Sequence, residues 1–402
     1  MTTPTRNNLW GWARRFIDGP AVVCVEGDSI WSPNTPRLQY GVAKKWRPRR
    51  WVGWHNAGSS ELFDASLNAA SGDRTVTDTN VTVDGAWYGG QTVAPIDVRK
   101  MEWTGNEGDG SGIFRVVFNS TALGVFPDGD WTSNVAMKGK AIWWANPDSL
   151  PTATFRGRRS DDSTLNTNTG VAVTAGVAQY GSYEVDIPAG VNGVVGYPSM
   201  DIILTAGANE TGKNWYPIAF RLYRSGVVGT EFNCLGSIGG ADLAFHINPA
   251  VCSDAMRQQY YAAIGSPNLF IIPIGTNGTV AKADLLTLIQ NRRAIMANLG
   301  VKPYFLLLPP YDTNRGAAYH QGVSQVMYEL SCEHSDVAFI DQYQVAGPFA
   351  TLDALYLSDS VHPTEAGAAY FAEVLWTQIA AAASETPSAR NLRATRNTRG
   401  LR

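Results

Sequence analysis

Three turns far apart in the 402-residue chain carry side chains suited to acyl transfer. Ser29 closes Gly27-Asp28-Ser29 directly after the apolar run 21–26; Asn277 closes Gly275-Thr276-Asn277 after the apolar run 269–274; Asp359 and His362 share Asp359-Ser360-Val361-His362-Pro363. A serine hydroxyl is a weak nucleophile until a base takes its proton, and a histidine with a pKa near ~6.5 can do so at neutral pH. That histidine needs its second ring nitrogen held, and a carboxylate three residues earlier, Asp359, reaches it. Negative charge then develops on the carbonyl oxygen under attack, and donors must face it. The backbone N–H of Ser29, a glycine N–H and the Asn277 amide supply three, each typically worth about 10²–10³ in rate. Taken singly, each is an ordinary residue: serine in a strand-to-helix turn, asparagine beside Gly278, a solvated loop carboxylate, a histidine at a helix entry. Their joint occurrence after strand-like runs is what points to chemistry.

The glycine has two candidates. Gly236 follows the strand-like run 227–232 in Asn233-Cys234-Leu235-Gly236, and Gly58 follows Trp51–Val52–Gly53–Trp54 in Asn56-Ala57-Gly58. Gly236 lies 41 residues before Asn277, a spacing that suits a strand–helix–strand step with one helix between. Gly58 then marks where the chain leaves for a different segment.

The elements that must position these groups alternate between strand and helix. Residues 269–274, 304–308 and 337–340 are short apolar runs with the character of buried strands, and 21–26 resembles them. Residues 281–299 repeat Leu285, Leu288, Ile289, Ile295, Met296 and Leu299 at helical spacing, ended by Gly300. Residues 365–383 form a long alanine-rich helix with Pro363 ahead of it. Such alternation predicts a parallel sheet covered on both faces, whose reactive groups collect at the C-terminal ends of the strands. Between roughly 72 and 222 apolar and polar residues alternate between Gly, Asn and Asp turns, which predicts antiparallel β structure of the sandwich or jelly-roll kind. Because α/β-type segments flank it, the expected organisation is 1–71 and 225–383 as one domain, 72–224 as an inserted β-rich, carbohydrate-binding candidate, and 384–402 as a tail.

Taken together, GDS near the N-terminus, the glycine of NxLGxxGG, the asparagine of GTN and DxxHP near the C-terminus resemble the marker blocks of the SGNH (GDSL-type) hydrolase family. The resemblance covers about 1–70 and 225–383 and excludes the central β region. It implies a flavodoxin-like three-layer α/β/α domain and ester hydrolysis without metal or cofactor. It further implies Ser29, Asp359 and His362 as a catalytic triad, with Ser29, Gly236 and Asn277 as oxyanion donors and Gly58 as the alternative to Gly236. One departure is that relatives usually continue GxN with Asp, whereas Gly278 stands here. Relatives cleave acetyl groups from polysaccharides or acyl chains from lipids.

Composition bounds the partners. Hydrophobic residues make up 44% and charged residues 17% of the chain, ample for a folded core. A formal charge of −3 is too small for whole-body nucleic-acid binding. Forty Gly, 13 Trp and 16 Tyr favour turn-rich β structure and flat, stacking surfaces, although Trp87, Trp103, Trp131, Trp143, Trp144 and Trp215 suit a sheet core as well as a sugar platform. Cys24, Cys234, Cys252 and Cys332 lack CxxC spacing and read as buried thiols rather than a disulfide framework. His55, His246, His320 and His334 lack ligand spacing and read as satisfied or surface residues. There is no GxSxG, P-loop or GxGxxG after a strand. No stretch has the length of an apolar membrane span, and residues 1–15 lack the run of a secretory signal, so the expected place is the cytoplasm, or a virion released by lysis. Arg390, Arg393, Arg396, Arg399 and Arg402 recur every third residue, which suits either a solvated tail or an arm for an acidic or phosphate-bearing partner. Lys44, Lys45, Arg47, Arg49 and Arg50 read as a solvated helix end. The expected function is therefore carbohydrate O-acetylester hydrolysis, with a lipid or small-ester esterase as the rival. A glycan-binding surface or virion protein with a vestigial triad is the non-catalytic alternative.

Overall fold

The structure, a computed structural model, describes residues 4–31, 46, 54–55, 74–79, 81–84, 100–103, 111–118, 137–145, 152–159, 162–173, 179–189, 198–205, 214–224, 230–233 and 240–385. It opens with a two-residue strand β1 (Arg6–Asn7), helix α1 (Leu9–Asp18) and strand β2 (Val22–Val25). The mixture of Trp and Arg near the N-terminus is an amphipathic helix. Leu9, Trp12, Ala13 and Phe16, at i, i+3, i+4 and i+7, are all buried, while Arg14 and Arg15 stay outside. Trp12 and Phe16 stack with centroids 5.2 Å apart, and Phe16 meets Trp46 and Trp376 edge-on.

Strands β3 (Trp54–His55), β4 (Arg74–Thr79), β5 (Val81–Asp84), β6 (Lys100–Trp103), β7 (Ser111–Phe118), β8 (Met137–Ala145), β9 (Thr152–Arg159), β10 (Asp162–Val173), β11 (Gln179–Ile187), β12 (Pro198–Thr205) and β13 (Asn214–Arg224) follow. Their alternating sequences pair antiparallel throughout, as patterns of period two do. One sheet has the order β10-β9-β12-β7-β4 and the other β11-β8-β13-β6-β5, with β3 pairing on β13 through His55 opposite Leu222. The sheets touch where Phe155 stacks on Tyr183 at 5.5 Å, and at Gly157, where a Cβ would come within 2.2 Å of the Asp186 carbonyl oxygen.

The chain then returns through β14 (Glu231–Asn233), α2 (Leu243–Ile247), α3 (Asp254–Ala263), β15 (Leu269–Pro273), α4 (Lys282–Asn298), β16 (Tyr304–Leu308), α5 (Ala317–Glu333), β17 (Val337–Ile340), α6 (Gln342–Val345), α7 (Phe349–Leu355) and α8 (Glu365–Ala383). A six-stranded sheet of order β1-β17-β16-β15-β2-β14 forms the centre, parallel except for the antiparallel edge strand β1. In chain order its five parallel strands run 2-1-3-4-5, the flavodoxin-like arrangement. Strands β15 and β17 are buried at every position, which explains why they show no polar alternation. One face is covered by α1 and α8, whose Phe371, Leu375 and Ile379 join Trp12 and Phe16. The other face is covered by α3, α4 and α5 through Tyr260, Leu288, Ile289, Met327 and Leu330.

The expected strand at 227–232 is seen as Glu231–Asn233. Where a single helix is expected between it and β15, two are seen among the described residues, α2 and α3, and the two strands are not neighbours. Strand β2 lies between them, so the connection crosses over it and needs the extra length. Helix α3 also meets the β region: the Tyr180 N–H donates to Gln259 Oε1 at 3.1 Å, and Tyr180 packs on Tyr260 at 5.6 Å. Among the described residues no helix is long and apolar enough to cross a membrane. Cys24 and Cys252 are buried thiols and Cys332 is exposed; Cys234 lies outside the described residues, as do the basic cluster 44–50 apart from Trp46 and the Arg-rich 386–402.

Candidate active site

Strand β2 sits at the point where the chain, having laid down its first strand, continues to one side and then to the other. In such sheets the crevice at the carboxyl ends of the strands flanking that point is open to ligands. Ser29 follows β2 and Asn277 follows β15, the two strands on either side of the switch. The turn after β2 has no room for a side chain at its first position: a Cβ on Gly27 would lie 2.6 Å from Pro273 Cγ and 2.9 Å from the Pro273 carbonyl oxygen. Glycine lets the Ser29 turn lie flat against β15. Gly275 has φ +117°, a region that side chains rarely adopt, and turns the chain sharply towards Asn277.

Asp28 joins these two turns. Its carboxyl is 1% exposed, accepts the Ile30 N–H at 3.0 Å and is hydrogen-bonded by the side chain and backbone of Thr276. Burial outweighs those bonds and the nearby His362, and raises its pKa to about 6. Tyr319, on α5, brings its hydroxyl within 2.5 and 2.6 Å of the Gly275 and Gly278 carbonyls, bracing the second turn from above.

The third loop is built to hold one imidazole. It closes on itself through an isolated Leu357–Pro363 bridge and through the Ser358 N–H donating to the His362 carbonyl at 2.8 Å. Ser360 sits in the left-handed region at φ +64°, uncommon for a residue with a side chain and a form of strain found where geometry matters. From the core, the Tyr311 hydroxyl donates to the Val361 carbonyl at 2.6 Å, and the Tyr311 ring stacks on Phe371 at 4.1 Å. Thr364 caps α8 by accepting the Gly367 N–H at 3.0 Å, so the loop ends on a rigid helix.

With the three loops in place, Ser29 Oγ lies 2.8 Å from His362 Nε2, and His362 Nδ1 lies 2.7 Å from Asp359 Oδ2. The other Asp359 oxygen accepts the backbone N–H groups of His362 at 2.7 Å and Val361 at 3.2 Å. Burial works against the Asp359 carboxylate, but the His362 ring and these N–H donors outweigh it and hold its pKa below the usual value. A carboxylate can only accept, so Nδ1 carries a proton and Nε2 presents its lone pair to the serine hydroxyl. A hydroxyl beside a base whose far side is anchored to a carboxylate can deliver an oxygen nucleophile to a carbonyl carbon. Asn277 donates one of its two amide hydrogens to the Ala241 carbonyl at 2.9 Å. Gly236 and Gly58 lie outside the described residues, as do the side chains of the six tryptophans of the β region.

Beneath the site is a charged cluster with no motif. Glu26, at the end of β2, is fully buried and pairs with Arg292 of α4 at 2.8 Å; the Tyr261 hydroxyl donates to its other oxygen. Burial works to raise the Glu26 pKa, but Arg292, Arg257, His246 and Tyr261 together hold it low. His246, of α2, places Nε2 3.0 Å from the Gly27 carbonyl oxygen. His320 is a core histidine, but only half satisfied: its Nε2 accepts the Thr313 N–H at 3.1 Å, while its buried Nδ1 has no hydrogen-bond partner.

No protein-family model matches the chain, and no curated protein does. Among solved structures, a peptidoglycan O-acetylesterase superposes with a TM-score of 0.57 over 92% of this chain and 93% of its own, at 12% identity. The α/β body has the SGNH hydrolase fold. A family two carbohydrate esterase from Cellvibrio japonicus also aligns, over 77% of this chain and 98% of its own, at 10% identity and a TM-score of 0.31. Of these two, only the first superposes well enough to bear on the fold. In this SGNH fold, Ser29 and Asn277 follow the ends of β2 and β15, and the Asp359–His362 loop, which runs between α7 and α8, meets Ser29 at the same edge of the sheet.

Proposed function

We propose that the chain is a serine esterase that works through an acyl-enzyme at Ser29 and removes O-acetyl groups from a carbohydrate. The observation that carries this is the unbroken hydrogen-bonded chain from Ser29 Oγ through the His362 ring to Asp359, at 2.8 and 2.7 Å. His362 Nε2 takes the hydroxyl proton as Ser29 Oγ bonds to the ester carbonyl carbon. The Ser29 N–H, the remaining Asn277 amide hydrogen and a glycine N–H, from Gly236 or Gly58, face the oxygen that becomes negative. As the tetrahedral intermediate collapses, the imidazolium returns its proton to the departing sugar alkoxide. Water then attacks the acyl-enzyme, giving its proton to His362, and the free acid leaves with Ser29 restored. Asp359 keeps the ring in the productive tautomer and offsets its positive charge.

The carbohydrate part of the reading rests on the β region, taken here as a sandwich inserted at 72–224 within a domain formed by 1–71 and 225–383. The likeness to the peptidoglycan O-acetylesterase, which extends over 92% of the chain and so includes that region, favours the same kind of substrate. In this reading the Arg-rich tail 384–402 serves as an arm for an acidic or phosphate-bearing partner, its first residues held to the body by Glu385, which pairs with Arg6 at 2.8 Å. The test is hydrolysis of an aryl acetate, then release of acetate from an O-acetylated polysaccharide, by wild type and Ser29→Ala. Wild type is expected to release acetate from both and Ser29→Ala from neither. Aryl-acetate hydrolysis without release from any acetylated glycan removes the carbohydrate assignment, and an inactive wild type removes the esterase assignment.

A further inference from the structure

The short segment 241–246 touches both turns that matter for the reaction. The Ala241 carbonyl accepts the Asn277 side-chain amide at 2.9 Å. Asp242 caps α2 by accepting the Phe245 N–H at 2.9 Å, and it lies against Gly278: a Cβ there would come 3.2 Å from Asp242 Cβ and 3.3 Å from its Oδ2. One turn later His246 Nε2 meets the carbonyl of Gly27, two residues before Ser29, at 3.0 Å. The His246 carbonyl accepts Arg292 Nη2 at 3.0 Å, and Arg292 Nε binds Glu26, the residue before Gly27.

We infer that His246 is a positioning residue that, with Ala241, clamps the Ser29 turn to the Asn277 turn and sets the distance between nucleophile and oxyanion donor. This rests on the esterase reading. His246 is 1% exposed and reaches the reaction only through Gly27. The Gly27 carbonyl can only accept, so Nε2 carries the ring proton, while Nδ1 is buried without a hydrogen-bond partner. Burial, with Arg292 and Arg257 reinforcing it and Glu26 opposing, lowers the ring's pKa to about 4. The ring therefore stays neutral through the pH range in which His362 must act as a base, and the clamp keeps the same donor throughout. Serine attack and oxyanion stabilisation depend on sub-ångström placement, and a shift of about 1 Å can cost ~10²-fold in rate.

The test compares two amide replacements that differ in reach. His246→Gln places an N–H near the position of Nε2, whereas His246→Asn is one methylene short of Gly27. Active sites are counted with a fluorophosphonate probe, and kcat and KM for an aryl acetate are measured per titrated site, alongside Tm. The expected result is kcat for His246→Asn lower by about 10- to 100-fold, with KM within about threefold and His246→Gln recovering most of the loss. His246→Leu, if it folds, is expected to match His246→Asn. Equal kcat values for the Asn and Gln variants, or a wild-type kcat per titrated site in His246→Asn, would overturn the clamp even if Tm falls, because that is the signature of a purely structural histidine. A wild type that neither labels nor turns over removes the esterase reading and the clamp with it, whereas an active wild type with indifferent variants removes the clamp alone.

Discussion

Replacing Arg292 with Met leaves a similar volume in the core but strands Glu26, whose side chain is 0% exposed against 1% for Arg292. Breaking a buried ion pair from one side costs about 3–5 kcal/mol, because the remaining charge has no water to turn to. The hydrogen bond to the His246 carbonyl is lost as well, worth roughly 0.5–1.5 kcal/mol. Tyr261 and Arg257 still face Glu26 and recover part of this. The net expectation is a loss of about 4 kcal/mol, on the order of 10 °C in Tm for a domain of this size. Urea unfolding at pH 7 reads the free energy directly. The pH dependence has a definite sign. In wild type the low pKa of Glu26 contributes stability that is present above its ordinary 4.5 and lost as pH falls through the native value. In the variant, burial without Arg292 raises that pKa, so Glu26 takes up a proton and the penalty eases as pH falls from 7 towards 5. The deficit should therefore shrink with acidification. The double variant Glu26→Gln/Arg292→Met, which removes both charges of the ion pair, should be more stable than Arg292→Met, with the gain limited by buried Arg257, which loses its counter-charge. A deficit below about 1 kcal/mol, a deficit that grows on acidification, or a double variant no better than the single would refute the reasoning.

Two further outcomes follow from the site. Asp359→Asn presents an amide to His362 Nδ1 and so favours the wrong tautomer; because the Asp359 side chain is 56% exposed, water replaces part of its role, and the kcat loss is expected at about 10²–10³-fold, below the ~10⁴ seen for a buried triad carboxylate. Steady-state kinetics with an aryl acetate measures it, and a loss under tenfold would mean that Asp359 does not orient the ring. Asp28→Asn cannot ionise, whereas burial raises Asp28 from 3.8 to about 6, so wild type binds the proton more tightly folded than unfolded and loses roughly 3 kcal/mol as pH climbs through that interval. The Tm difference should shift in favour of Asp28→Asn between pH 4 and 7; a constant or opposite shift contradicts the burial argument.

The parts of this site legible in the sequence are those written in consecutive residues. Gly27-Asp28-Ser29 and Asp359-Ser360-Val361-His362 each pack several constraints into a few positions, and the apolar strands ahead of Ser29 and Asn277 place those turns at one edge. Strand β16 and helix α8 have the bounds that their patterns predict, because a run of core residues and a proline–threonine start leave little freedom. The clamp was not legible, since its contacts join positions from 36 to 266 residues apart and each partner looks ordinary alone. A faint signal did exist. Arg292 falls on the apolar stripe of α4, between Ile289 and Ile295, and Glu26 ends a run that is otherwise apolar. A charge on a core face calls for a buried partner of opposite sign, and these two are that pair. Helix α1 was hidden for a different reason. Its apolar face is only four residues long and is made partly of tryptophan, so the segment reads as a polar mixture until the 3.6-residue period is imposed. The path from β14 to β15 depended on strand order, which local patterns do not encode.

The most direct test of the central claim is peptide mapping of the protein after treatment with a fluorophosphonate. The expected adduct is on Ser29 alone, formed quickly by wild type, not at all by Ser29→Ala, and slowed in His362→Ala to nearly the same extent, since nucleophile and base act as a unit. A wild type that takes no label, an adduct on another serine, or labelling of His362→Ala at the wild-type rate would contradict the assignment of Ser29 as the nucleophile that His362 activates.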